Sequence, residues 1–120
     1  MPWRGAERTL RLRDNRPVPD YRCLRADELE PGSVRQVTVN GWVIALGRGE
    51  DGELFAFDNM CAHQGGPLGQ GYVDGELLVC PLHGWSYRIE DGACTMLPGL
   101  HITKHRVREE EGDVVVELPG

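Results

Sequence analysis

Cys61-Ala62-His63-Gln64-Gly65-Gly66-Pro67-Leu68-Gly69 and Cys80-Pro81-Leu82-His83-Gly84-Trp85 are the two runs that decide the reading of this chain. Each offers one thiol and one imidazole, as Cys-x-His in the first and Cys-x-x-His in the second, and residues 64–79 lie between His63 and Cys80. Two soft thiolates and two imidazoles form a four-ligand set that suits either tetrahedral zinc or a two-iron cluster. Zinc sites usually pair cysteine with cysteine and histidine with histidine at short spacing, closing on one ion. Here neither run is like with like. That is what a centre with two cysteines on one iron and two histidines on the other would want.

Outward from these runs, the chain reads as short strands and turns. Tyr21 to Leu24 is expected as a strand, and Ala26 to Leu29 as a single helical turn stopped by Pro31-Gly32. Val34–Val39 and Trp42–Leu46 are expected to form a hairpin about Asn40-Gly41, a strong hairpin signal. Leu54–Phe57, Leu77–Val79, Trp85–Ile89, His101–Val107 and Val114–Leu118 follow as strands, with an acidic turn from Glu109 to Asp113. No long amphipathic helix and no repeat is present. The 16 glycines and 8 prolines fit many turns between short strands, so an all-β sandwich or barrel is expected.

The full pattern, Cys61-x-His63 then Cys80-x-x-His83, with Gly66-Pro67-Leu68 after the first pair, Pro81-Leu82-His83-Gly84-Trp85 around the second and Pro98-Gly99 further on, resembles the Rieske family. The resemblance runs from about Tyr21 to Leu118. It implies an all-β fold, a Rieske-like antiparallel β-sandwich base with inserted cluster-binding loops at about 58–71, 80–86 and 95–99. Residues 21–120 are then the [2Fe–2S] domain. Residues 1–20, punctuated by Pro2, Gly5, Pro17 and Pro19, are expected from their own sequence as a basic, partly ordered arm, in which the brief alternation of Thr9–Arg13 suggests an edge strand. It further implies one [2Fe–2S] cluster per chain, with Cys61 and Cys80 on the inner iron and His63 and His83 on the outer. Gln64, Gly66, Leu82, Trp85, Tyr87 and Pro98 are expected around the cluster. Two thiolates with two neutral imidazoles leave the oxidised assembly neutral, so it accepts an electron more readily than an all-cysteine centre.

Two departures from the family pattern narrow the subtype. High-potential members carry a disulfide whose positions are Gly66 and Leu82 here, and a hydrogen-bonding serine where this chain has Trp85. Tyr87 matches the family's tyrosine that donates to a cysteine sulfur. Fewer donors leave the reduced cluster less stabilised, which implies the low-potential branch, about −150 to 0 mV.

A chain of 120 residues amounts to one domain. Cys23 and Cys94 are too few and too scattered for a disulfide framework and are read as buried free thiols. No apolar run is long enough to span a membrane, and no secretory or twin-arginine signal is visible, so the cytoplasm is the expected address. Residues 1–20 carry a net charge of +2 and residues 21–120 a net of −8. The acidic body argues against nucleic acid and, at this stage, suggests a redox partner with a basic docking face. His101 and His105 share a strand face and are expected in solvent rather than on a second metal.

The implied function is one-electron carriage from a flavin reductase to a terminal oxygenase, with no catalytic residue of its own. The same domain also resembles the small subunit of cytoplasmic NAD(P)H nitrite reductases, whose partner is the large subunit. A zinc-stabilised interaction module is the non-redox alternative. A chain of this length has no room for a catalytic domain with a 2-His-1-carboxylate iron.

Overall fold

The computed structural model describes residues 8–13, 16–62, 65–82 and 84–118, and for residues 8–18 the backbone alone. Within these bounds, eleven strands form three antiparallel sheets. The outer sheet has the order β1-β2-β11-β10, from Arg8–Arg13, Arg16–Arg25, Asp113–Glu117 and Val107–Glu110. The middle sheet is β3-β4-β5-β9, from Ser33–Val39, Trp42–Arg48, Leu54–Asp58 and Lys104–His105. The third is a small meander, β6-β7-β8, from Tyr72–Asp74, Leu77–Val79 and Ser86–Arg88. The all-β expectation holds.

The middle sheet separates two cores, because alternate side chains of a strand point to opposite faces. Ile44, Leu46 and Ala56 join Tyr21, Leu24, Val114 and Val116 of the outer sheet in the first core. Ala45, Phe55 and Phe57, one residue out of phase, face the second core with Leu68, Leu78 and Tyr87. β4 and β5 are therefore apolar on both faces. The two expected ligand cysteines, Cys61 and Cys80, belong to the second core, and the meander closes over them.

The hairpin between β3 and β4 turns at Asn40 and Gly41, whose φ values of 49° and 83° are both positive, as a type I′ turn requires. The expected helical turn is a 3-10 turn at Ala26–Glu28. Two expectations need correction. The single strand over His101–Val107 is split into β9 and β10, which belong to different sheets. Glu109 and Glu110 belong to β10, paired with Val114 and Asp113 of β11, so the acidic turn is confined to Glu111-Gly112. The chain also forms β6 and a 3-10 turn at Leu68–Gln70, neither of which was anticipated. At the N-terminal end, β1 is an edge strand as expected for Thr9–Arg13, and β2 runs unbroken through the anticipated boundary at residues 20 and 21.

Candidate metal centre

Two strands deliver the two thiols. β5 ends at Asp58 and the chain passes through Asn59 and Met60 to Cys61, while β7 ends at Val79 immediately before Cys80. Both cysteines are buried, at 2% and 1% exposure, and they lie within hydrogen-bonding reach of each other. No disulfide joins them, or Cys23 and Cys94, which are also buried free thiols as expected.

Tyr87 on β8 completes the inner end of the site. Its phenol oxygen accepts the Ala62 N–H at 3.2 Å and lies 2.9 Å from Cys61 Sγ; toward a Cys61 thiolate, which has no hydrogen to give, the phenol is the donor. Burial, with the Cys61 thiol adding to it, holds the phenol well above its ordinary range, and Tyr87 remains a neutral donor. Burial likewise pushes the Cys80 thiol up, and the adjacent Cys61 reinforces the effect. Two buried thiols side by side, with Cys80 held in its protonated form by burial, are a donor pair suited to a cation. A metal that binds them as thiolates removes the conflict, and their soft sulfur suits iron–sulfur chemistry. The residues described therefore fit the inner half of a [2Fe–2S] site.

The loops around the thiols are tied down by their own backbone. Cys61 N–H donates to Gly66 O at 2.9 Å and Gly65 N–H to Cys61 O at 2.7 Å, which curls the first loop back on itself. That curl needs the positive φ of 71° at Gly65. Cys80 N–H donates to Trp85 O at 2.7 Å, closing the second loop. Gly66 and Leu82 face each other as the resemblance implied. A Cβ built on Gly66 would lie 3.0 Å from Leu82 Cδ1 and 2.8 Å from Cys80 Sγ. Trp85 is half-buried and packs against the second core. Pro98 lies exposed in the third loop, which is held to the second where the Ser86 and Thr95 hydroxyls meet at 2.6 Å. His63, Gln64 and His83 lie outside the described residues.

Sequence reasoning missed the brace behind the first loop. Asn59 Oδ1 accepts the Gly69 N–H at 2.7 Å, and Asn59 Nδ2 donates to Gln36 Oε1 at 3.0 Å. Gln36 lies on β3, 23 residues upstream, and nothing in the local sequence connects the two. His105 was expected in solvent and is instead buried. Its Nε2 pairs with Asp58 Oδ1 at 2.7 Å, and its ring meets Trp42 edge-on at 6.1 Å. His101 is exposed as expected. Among the described residues, no helix is long and apolar enough to cross a membrane.

The family profile described as the Rieske [2Fe-2S] domain matches residues 20–106. The chain belongs to this family, and its cofactor is a single [2Fe–2S] cluster. It is 46% identical over 103 residues to the 4beta-methylsterol monooxygenase of Methylococcus capsulatus, a match covering 77% of this chain and 27% of that protein. It is 37% identical over 79 residues to the ferredoxin component of the naphthalene 1,2-dioxygenase/salicylate 5-hydroxylase systems of a Ralstonia species, covering 66% and 73%. Among solved structures, a Sphingomonas yanoikuyae B1 ferredoxin superposes with a TM-score of 0.73 at 32% identity, covering 82% of this chain and 97% of that one. The first curated relatives are much longer proteins, of which the chain spans between 16% and 27%. The family match favours the two-iron cluster over a zinc module.

Proposed function

We propose that the chain is a one-electron carrier. Cys61 and Cys80 hold the inner iron, His63 and His83 the outer, and the electron passes from a flavin reductase to a terminal oxygenase. One observation supports this above the rest: two buried thiols from separate strands meet beside a tyrosine hydroxyl at the head of short loops. A [2Fe–2S] cluster bound there supplies one reversibly held electron. The chain's own residues do the rest. Tyr87 donates to the Cys61 sulfur and stabilises negative charge on it, the more so as that charge grows. Leu68, Leu78 and the phenyl ring of Tyr87 exclude water from the thiol side. The low-potential assignment rests on Trp85 in place of a hydroxyl and on Gly66 and Leu82 in place of a disulfide.

Iron and acid-labile sulfide at two each per chain, with an EPR-active reduced form, are the expected result for anaerobically purified protein. One zinc per chain without sulfide would overturn the proposal. A second reading is favoured by the 46% identity to a sterol monooxygenase: the same cluster feeding a catalytic iron domain of a sterol- or steroid-oxidising enzyme. Turnover restored by adding the chain as a separate protein to a reductase and an oxygenase supports the first reading. Turnover only when it is covalently continuous with the oxygenase supports the second.

A further inference from the structure

The loop that carries Cys61 hangs from the end of β5, and two side chains hold its two legs. Asn59 holds the far leg through Gly69 and Gln36. The near leg starts at Asp58, the last residue of β5 and three residues before the thiol. There His105 Nε2 meets Asp58 Oδ1 at 2.7 Å. An ionised carboxylate only accepts, so Nε2 carries the hydrogen.

The pair sits where the ladder runs out. β9 is two residues long and forms an edge of the middle sheet, pairing Lys104 with Phe57 and His105 with Ala56. Beyond Phe57 the backbone contact on that side is the Asp58 N–H bond to Thr103 O, at 3.0 Å. On the other side Asn59 N–H donates to Val43 O at 3.2 Å. From Met60 onward the loop turns to itself: Met60 bridges Pro67, and Cys61 N–H donates to Gly66 O. The imidazole that grips this root is itself fixed. It is 8% exposed and meets the ring of Trp42 edge-on, and Trp42 packs against the first core. A hydrogen bond in such a shielded place is stronger than one in water.

We infer that His105 is a positioning residue for the cluster: its hydrogen bond to Asp58 latches the root of the first loop and keeps Cys61 presented to iron. This rests on the reading of Cys61 as a ligand. A histidine that only filled the edge of the first core would act on global stability alone. A latch sets instead the free energy of a local opening, in which the loop lets go while the sheets stay folded. Cluster release from folded protein then follows this one bond, and not the stability of the core.

Release is followed on holoprotein as the loss of visible absorbance in excess iron chelator, under conditions well below the unfolding transition. His105→Phe keeps a ring beside Trp42 and removes the donor. It is expected to release the cluster about tenfold faster, the effect of losing a hydrogen bond to a charged group. His105→Gln puts a neutral amide N–H near the place of Nε2 and should stay within about threefold of wild type. Asp58→Ala breaks the same bond from its more exposed end, where the side chain is 37% exposed, and carries the test if His105→Phe loads poorly. The double variant should be no more than about twofold faster than either single one, since both lose the same interaction. Val116→Ala opens a cavity in the first core, on the outer sheet, and lowers global stability. Its release rate should stay within about threefold of wild type. A Val116→Ala rate equal to that of His105→Phe would show that unfolding frees the cluster, and would overturn the inference. So would His105→Gln releasing as fast as His105→Phe, or both His105→Phe and Asp58→Ala staying within about threefold of wild type. Absence of iron and sulfide from the wild type, measured first, would overturn the ligand reading as well; failure of the variants overturns the latch alone.

Discussion

Replacing Tyr87 with phenylalanine removes one oxygen from the inner end of the site and leaves the packing in place. The ring is fully buried in the second core, so the phenyl group keeps its contacts and no water replaces the hydroxyl. What is lost is the 2.9 Å hydrogen bond to Cys61 Sγ and the acceptor for Ala62 N–H. A hydrogen bond to a charged group is worth about 1.5–3 kcal/mol. The reduction potential senses only the part that differs between oxidation states. Taking roughly a third of the bond as the strength gained on reduction gives about 0.5–1 kcal/mol, or about 20–40 mV for a one-electron couple. Tyr87→Phe should therefore lower the potential by about 20–40 mV, measured by protein-film voltammetry at neutral pH. Denaturation of the same variant should show a loss of about 1 kcal/mol from the orphaned Ala62 N–H. The potential is measured on folded holoprotein, so the stability term does not enter it. A potential that is unchanged, or higher, would refute the view that Tyr87 donates to the cluster's thiolate.

Two further predictions concern the frame around the site. A Cβ on Gly71 would lie 1.9 Å from the carbonyl oxygen of Val79, the residue that precedes Cys80. Backbone cannot yield as a side chain does, so Gly71→Ala should cost about 3 kcal/mol or more in chemical denaturation and reduce iron loading; a loss under about 0.5 kcal/mol would contradict this packing. Cys23, buried in the first core, has its thiol pushed up from its ordinary 9.0 to about 12 by burial. The folded state keeps a proton that the unfolded chain releases, so Cys23 contributes fully below pH 9.0, and its contribution is lost as pH rises from 9.0 toward 12. Relative to Cys23→Ala, the wild type should lose about 1.4 kcal/mol between pH 8 and pH 10, and parallel stability profiles would refute the assignment.

Features set by neighbours along the chain were legible in the sequence. Asn40-Gly41 specifies its own turn through two positive φ values, and Leu77–Val79 ends on Cys80 as read. Features set by distant partners were not. His105 lies in a segment that reads as an exposed strand, and only the fold brings Asp58 and Trp42 to it. β6 is three residues long and has no periodicity to detect; it exists because Val79 and Leu78 offer it a partner. The Gln36–Asn59–Gly69 brace joins residues with no sequence relation, although it holds the loop that carries Cys61.

Charge shows the same division between a sum and its placement. The net of −8 over residues 21–120 is a property of the sequence, and it suggested a basic partner. Placement depends on the meander, whose register sends Asp74 and Arg88 to one end and Val79 and Ser86 to the other. Since Cys80 follows Val79 directly, the register that buries the thiol also sends the meander's own charged residues to the end away from it. A neutral surround suits a centre whose own charge changes by one, because nearby fixed carboxylates would oppose the incoming electron. One strand register thus serves both ligand delivery and the electrostatics of reduction.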